Sequence, residues 1–363
     1  MNREAMRNRW ETLQGENLKS AAELSLHGLA RSRFGEHVLG FVRGGERIED
    51  PRLHTEVAGL HLENPVMVGA GWDKKGWAVD GLYALGFSGV EVGSVLVHPQ
   101  AGNPRPRLWT DQSTHSVGLN RLGFNSAGME AVAANLERQH RVGITGISLG
   151  KNKLTPDSQA PWAHAAVAER LYDYADYFVI NVASPNTPGL RNLLDPKPLT
   201  DIVRATQEVL DAKGQKPLFI KTTVDLAQED LDRVLQVCIE EGVTGIIDTN
   251  TTIDDEIKAR YGWRGQMGGV SGNDPSYRQL ANERMEYITR TTRGSGLQRI
   301  GVGAINDAAS AIDRIKAGAQ AVQVVTGIRQ HKGRIAKKIN EGILEEIDRT
   351  GVQNVQELVG RAA

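Results

Sequence analysis

From about residue 64 onward the chain repeats one unit: a short apolar or β-branched run, a turn, then an amphipathic segment of helical length. Eight such runs occur: NPVMVGAG (64–71), GVEVGSV (89–95), GITGISLG (143–150), YFVINVAS (177–184), PLFIKTT (217–223), TGIIDTN (244–250), RIGVGAI (299–305) and AVQVVTG (321–327). They read as parallel strands covered on both faces, as the consecutive apolar positions require. Helical patterns separate them, such as LAQEDLDRVLQVCIEEG after the fifth and DAASAIDRIKAGA after the seventh. Asp307 opens the latter as an N-cap. Eight strand–helix units predict an α/β fold, a (β/α)8 TIM barrel. An open doubly wound sheet is the alternative, and the absence of a GxGxxG fingerprint after the first strand counts against it.

Three segments fall outside the repeat. HTEVAGLHLENP (54–65) reads as a β-hairpin placed to close the bottom of the barrel. The segment 98–128, between the second and third strands, is rich in Pro and Gly and reads as a long irregular loop. Residues 1–50 form an N-terminal helical extension to a barrel spanning 51–363. In that extension Leu18, Ala22, Leu26 and Leu29 share one helical face, and Phe34, Val38, Phe41 and Val42 another. Either a helical cap on the barrel or a lid toward a membrane surface or lipophilic substrate fits these faces.

Composition narrows the class. A net charge of −1 over 363 residues leaves no basic footprint for nucleic acid. No apolar run is long enough to span a bilayer, and the stretch MNREAMRNRWETLQGE lacks the apolar core of a signal peptide. The expectation is a cytoplasmic protein, or one bound peripherally to a membrane surface. The lone Cys238 makes no internal disulfide and falls on the buried side of a helical pattern, an inert position.

In a barrel of this kind the C-terminal ends of all strands face one mouth. Those positions hold Lys74, the GKNK and NVASPN turns, Lys221, and Thr249, Asn250 and Thr251. The long loop adds Asn120 and Asn125. A lysine inside an apolar barrel strand needs an anionic or strongly accepting partner, so Lys221 predicts either a structural ion pair or a ligand contact. Clustered asparagines present both donors and acceptors, which suits a flat ligand with alternating N–H and C=O edges, such as a pyrimidine. Gly303 and Gly327, in the turns after strands seven and eight, let the backbone approach a phosphate. With GGVSG (268–272), they point to a cofactor with a phosphate tail, and FMN fits. No metal site is expected.

The motifs AGWDKKG, NPRPRL, NRLGFN, GKNK, NVASPNTPGLR, TNTT, GGVSG and GVGAI resemble, in that order, those of the dihydroorotate dehydrogenases. The resemblance covers nearly the whole chain. Serine rather than cysteine at Ser184, with the N-terminal helices, is similar to the quinone-dependent class. That resemblance implies Ser184 as the base taking the C5 proton of dihydroorotate, with the C6 hydride passing to N5 of FMN to leave orotate. A quinone is the implied final acceptor, in pyrimidine biosynthesis. Lys74 is implied to hold the substrate carboxylate. Asn120, Asn181, Asn186 and Asn250 would bond the ring, with Thr251 and the stretch Arg121, Leu122, Gly123 and Phe124 completing the site. The implied FMN contacts are Ala70, Gly71, Ser94, Ser148, Asn181, Lys221, Thr249, Gly272, Gly303, Ala304, Val325 and Thr326. The N-terminal helices imply peripheral attachment to the cytoplasmic side of the inner membrane.

Several positions depart from the family pattern. Ser148 stands for an asparagine and is expected to leave a flavin contact to water. Ala304 replaces a glycine and is expected to put a methyl group near the phosphate. Val325 stands where tyrosine is common, and Trp72 and Lys75 also differ. Two alternatives remain from the sequence: a related FMN barrel with another acceptor or pyrimidine-like substrate, and a non-catalytic ligand-binding barrel. A base at Ser184 beside Lys221 argues against the latter, since a binder needs none.

Overall fold

The computed structural model describes residues 25, 26, 28, 29, 33–187, 189–331 and 333–363. Leu18, Ala22 and the side chain of Phe34, assigned above to amphipathic faces, lie outside the described residues.

All eight sequence runs become barrel strands: β1 Val66–Val68, β2 Gly89–Val95, β3 Ile144–Leu149, β4 Tyr177–Ile180, β5 Leu218–Thr223, β6 Gly245–Asn250, β7 Gln298–Val302 and β8 Ala321–Val324. They pair in parallel, and β8 closes on β1 through Val322–Val66, Gln323–Met67 and Val324–Val68. The fold is a (β/α)8 barrel, and the open-sheet alternative is excluded by that closure.

The strands are buried along nearly their whole length because each faces two apolar environments in alternation. Phe178 and Ile180 of β4, with Leu218 and Ile220 of β5, join the large cluster under the helices. Tyr177, Val179 and Phe219 instead join a separate cluster inside the barrel, with Met67, Ile247, Ile300 and Ala321. Tyr177 and Phe219 meet there edge to face, with centroids 5.5 Å apart. The predicted hairpin forms from Thr55–Val57 and Leu60–Leu62, and its Val57 and Leu62 belong to this inner cluster. It therefore plugs the barrel with apolar side chains.

The 98–128 segment contains irregular loop, as expected, and in addition two short strands. Leu108–Thr110 pairs antiparallel with Val117–Asn120, which in turn pairs with Gly269–Gly272, so GGVSG is itself a strand. The turn between the first two is organised by Asp111, whose carboxylate accepts from the Thr114 amide and hydroxyl and the Ser113 hydroxyl.

The helix Arg33–Arg43 lies on the barrel through Leu39, which is 1% exposed and part of the main core. Phe41, two residues on, points outward at 78% exposure. Asp307 caps Ala308–Lys316 with a reciprocal Ser310 bond, as the sequence predicts. Cys238 is fully buried, and burial raises its thiol pKa, which leaves it inert.

His164, on the helix Ala160–Leu171, is also fully buried. Its Nδ1 lies 2.8 Å from the Ala160 carbonyl, and Nε2 meets no partner among the described residues. Burial disfavours the imidazolium and pushes the pKa down to about 4. Its stabilising contribution is whole above the ordinary histidine pKa and is lost as pH falls from about 6.5 toward 4. The difference in unfolding free energy between the wild type and His164→Phe should therefore shrink by up to about 3 kcal/mol across that window. Denaturant unfolding of both proteins at pH 7.5 and pH 4.5 checks this, and a pH-independent difference would contradict it.

Candidate active site

Strand β4 ends at Ile180, and the chain then passes through Asn181, Ser184 and Asn186, all buried. Ser184 Oγ accepts the backbone N–H of Asn186 at 3.3 Å. Asn181 Nδ2 donates to Ser94 Oγ at 2.8 Å, and its Oδ1 lies 3.5 Å from Asn250 Nδ2. Asn186 Nδ2 donates to Asn120 Oδ1 at 3.2 Å. Thus the four asparagines named from sequence form two pairs, Asn120 with Asn186 and Asn181 with Asn250, and the first is joined to Ser184 through the Asn186 N–H. Asn186 Oδ1 and Thr251 Oγ1 are buried polar atoms without a hydrogen-bond partner among the described residues. Such atoms are costly unless a ligand completes them.

Lys74 follows from the loop AGWDKKG after β1. The Asp73 carboxylate is fully buried and accepts from the amides of Lys75, Trp77 and Ala78, at 2.8–3.2 Å. Burial raises its pKa, and the amide bonds oppose that shift. Asp73 thereby fixes the turn from which Lys74 reaches Asn125 Oδ1 at 2.6 Å. Trp72 packs into the core, and the Lys75 ammonium lies over the Trp77 ring at 4.1 Å. Both departures are absorbed away from Lys74.

Residues Arg121 to Phe124 are held by partners that the sequence reading passed over. Gln100 Nε2 donates to the carbonyls of Gly123 and Phe124 at 3.2 and 3.0 Å. Asn103 Nδ2 donates to the Arg121 carbonyl at 3.0 Å and to the Asn186 carbonyl at 3.1 Å, joining this loop to the Ser184 loop. A Cβ at Gly123, where φ is +66°, would press into the Asn103 amide, so close approach requires glycine. Arg121 itself is turned away, its Nε on the Pro106 carbonyl and its guanidinium over Trp109. Asn103 stands in the NPRPRL motif, which was its one signal in the sequence.

Among the cofactor candidates, Ser94 and Ser148 hydroxyls lie 2.8 Å apart, so each has the other as a hydrogen-bond partner. Gly71 has φ +101° and open space where a Cβ would stand, a place that a ligand can occupy. Thr326 Oγ1 meets Ser271 Oγ at 3.1 Å, next to Gly272. Arg314, fully buried, donates to the carbonyls of Val302 and Gly303 at 2.8 and 3.2 Å and so fixes the turn after β7. Ala304 takes φ +54° and joins an apolar cluster with Val117, Leu119 and Tyr277. Its methyl group thus has an apolar setting of its own. Val325 packs against the main core, 3.0 Å from where a Cβ on Gly69 would stand. Tyr277 donates to the Asn250 carbonyl at 3.0 Å, as does Thr249 Oγ1 at 3.1 Å.

For Lys221 the structure shows the first of the two sequence alternatives. The residue is 5% exposed, and its ammonium lies 3.5 Å from Glu91 Oε1, so a structural ion pair exists.

The Ser184 loop is tied down at its far end by Arg191. Its guanidinium donates to the Ala183 carbonyl, to Thr223 Oγ1 and to Asp225 Oδ2, at 2.9–3.2 Å. Asp225 Oδ1 accepts from Thr252 Oγ1 at 2.6 Å, so one carboxylate links the ends of β5 and β6 to the loop. Asp225→Ala should cost about 1–3 kcal/mol locally. It should speed amide hydrogen exchange at residues 189–192 by about tenfold or more, leaving β4 protected. Unchanged exchange at those amides would show that the link does not hold the loop.

Comparison with known proteins identifies the family. The family model described as dihydroorotate dehydrogenase matches residues 52–347. A Rhodospirillum rubrum protein named dihydroorotate dehydrogenase (quinone) is 38% identical over 354 residues, covering 97% of this chain and 93% of its own. A Chloroflexus aurantiacus protein of the same name is 40% identical, covering 90% of this chain and 91% of its own. The crystal structure of an Eimeria tenella DHODH in complex with ferulenol superposes with a TM-score of 0.81 at 30% identity, covering 93% of this chain and 98% of that one. With a closed eightfold barrel, a serine between two asparagines at the end of β4 and these matches along most of its length, the chain belongs to the dihydroorotate dehydrogenase family.

Proposed function

We propose that this protein oxidises dihydroorotate to orotate, with FMN as the hydride acceptor and a quinone as the final electron acceptor. The observation that carries the reading is the pairing of Asn120 with Asn186 and of Asn181 with Asn250 at the strand ends, Asn186 bonded to Ser184, with buried polar atoms on Asn186 and Thr251 left for a ligand.

The reaction removes a proton from C5 and a hydride from C6, and a C5–C6 double bond forms. When bound, the flavin supplies the hydride acceptor. Ser184 takes the proton. A serine hydroxyl is a weak base, so its own proton must pass through Thr187 or a water to solvent, and the alkoxide oxygen that takes the C5 proton must be stabilised. The Asn186 N–H donated to Ser184 Oγ favours the charged oxygen. The asparagines fix the ring so that the C5 proton faces that oxygen, which lowers the entropic part of the barrier. Lys74 matches the substrate carboxylate as a point charge, and Asp73 holds the turn that aims it.

The residues fit FMN. Gly71 leaves open space, and the Ser94–Ser148 pair and Lys221 offer polar atoms. Gly272, Gly303 and Thr326 are the residues proposed to hold a phosphate tail, with Thr249, Ala70, Ala304 and Val325 as further proposed contacts. A hydride acceptor of this type explains a lysine kept within a barrel strand.

The acceptor and location follow from the extension. Residues 1–50 act as a lid on the barrel of 51–363, and they attach peripherally to the cytoplasmic side of the inner membrane. Phe41, exposed beside the anchored Leu39, supports an apolar contact there. No described helix is long and apolar enough to cross a membrane.

The test is spectroscopic. Purified protein should carry a flavin spectrum that dihydroorotate bleaches without oxygen and a soluble quinone restores faster than fumarate or NAD. Ser184→Ala should keep the flavin yet bleach about a hundredfold more slowly or worse. Wild-type bleaching in that variant would remove Ser184 as the base. Protein that neither holds nor takes up FMN would overturn the whole reading.

A further inference from the structure

Among the described residues, one group of charged and polar side chains lies against the apolar inner cluster of the barrel. Glu91 of β2 and Gln323 of β8 alternate with Val90, Val92, Val322 and Val324, which belong to the outer core, so both point inward. Lys221 shares the inward face of β5 with Phe219. Glu91 is 0% exposed, and its Oε1 lies 3.5 Å from the Lys221 ammonium without a directed hydrogen bond. Its Oε2 accepts from Gln323 Nε2 at 2.6 Å, and the Tyr177 hydroxyl lies 3.5 Å away. Gln323 Oε1 has no partner among the described residues.

A structural ion pair needs no such arrangement. The pair could be replaced by apolar residues at little loss of stability, since burying both ions costs what their attraction returns. Keeping it in a low-dielectric interior makes its charge felt by whatever lies above it. A cation near a flavin favours reduction, and an anion held against that cation weakens the effect. Neither charge is screened by water here.

We propose that Glu91 is a positioning residue that sets the flavin reduction potential by holding and partly neutralising Lys221. Gln323 and Tyr177 fix the carboxylate from the opposite side, so the carboxylate rather than water determines where the ammonium stands. The proposal rests on the reading that Lys221 lies beside the flavin. It predicts opposite effects from removing the two charges, which loss of packing would not produce.

The experiment is a dye-coupled reductive titration of the flavin-loaded wild type, Glu91→Gln, Glu91→Asp and Lys221→Gln. Glu91→Gln keeps the shape and leaves an uncompensated ammonium. It should make reduction about ten- to a hundredfold more favourable, a rise of about 30–60 mV for a two-electron couple. Glu91→Asp, which draws the carboxylate back by one methylene, should shift the same way by less, and serves where Glu91→Gln does not fold. Lys221→Gln should lower the potential by a comparable amount. Potentials of the Glu91 variants equal to wild type, or shifts of the same sign in Glu91→Gln and Lys221→Gln, overturn the proposal. A wild type that holds flavin and bleaches with dihydroorotate while the potentials stay equal separates this failure from that of the proposed function. A wild type that takes up no flavin overturns both.

Discussion

The pairing of β8 with β1 is the constraint on which the site depends. Val322, Gln323 and Val324 bond to Val66, Met67 and Val68, and only that closure brings the ends of eight strands to one mouth. Ser184 follows β4, Lys221 lies in β5, Asn250 ends β6, and Ser94 lies near the end of β2. In an open sheet these residues would lie along a line rather than around a ring. Asn181 could not then bond both Ser94 and Asn250 as it does. The apolar cost of closure is met by the hairpin at the other end, whose Val57 and Leu62 fill the space that the strands alone leave.

Rigidity at the mouth comes from carboxylates that gather loop donors rather than from the strands. Asp73 gathers three amides in the turn that carries Lys74. Asp225 gathers Arg191, Thr252 and the amide of Ile253 where the Ser184 loop rejoins the body. Each satisfies backbone groups that a loop leaving a strand would otherwise strand without water. The loop after β4 thus departs from Asn181 and is fastened again at Arg191, with Ser184 between two fixed points.

Much of this was legible in the sequence because it is periodic. Consecutive apolar residues gave away every barrel strand, and the GVEVGSV run matches β2 to the residue. Strand order then carried Ser184, Lys221 and the asparagines to the mouth. The sheet formed by Leu108–Thr110, Val117–Asn120 and Gly269–Gly272 was not legible. Its strands are three or four residues long, and one comes from more than a hundred positions away, so no local pattern marks it. Asn103, Gln100 and Glu91 escaped for a related reason. Each acts through a partner remote in the chain, and Glu91 sits within an apolar strand where only Lys221 discloses its role.

The pair Ser94 and Ser148 shows how a departure from the family pattern is accommodated. Ser148 stands where the family pattern has asparagine, and the two short side chains of Ser94 and Ser148 bring their hydroxyls to 2.8 Å. Asn181 already donates to Ser94 Oγ. If Ser94 donates onward, the Ser148 hydrogen is left; if Ser148 donates, the Ser94 hydrogen is left. In either case one O–H beside Asn181 remains uncommitted by this chain of bonds. The short side chains therefore offer no amide but keep a donor beside Asn181. What they alter is reach, because a hydroxyl extends less far than an asparagine amide. A ligand must approach that donor more closely to use it, and the open space at Gly71 permits that approach.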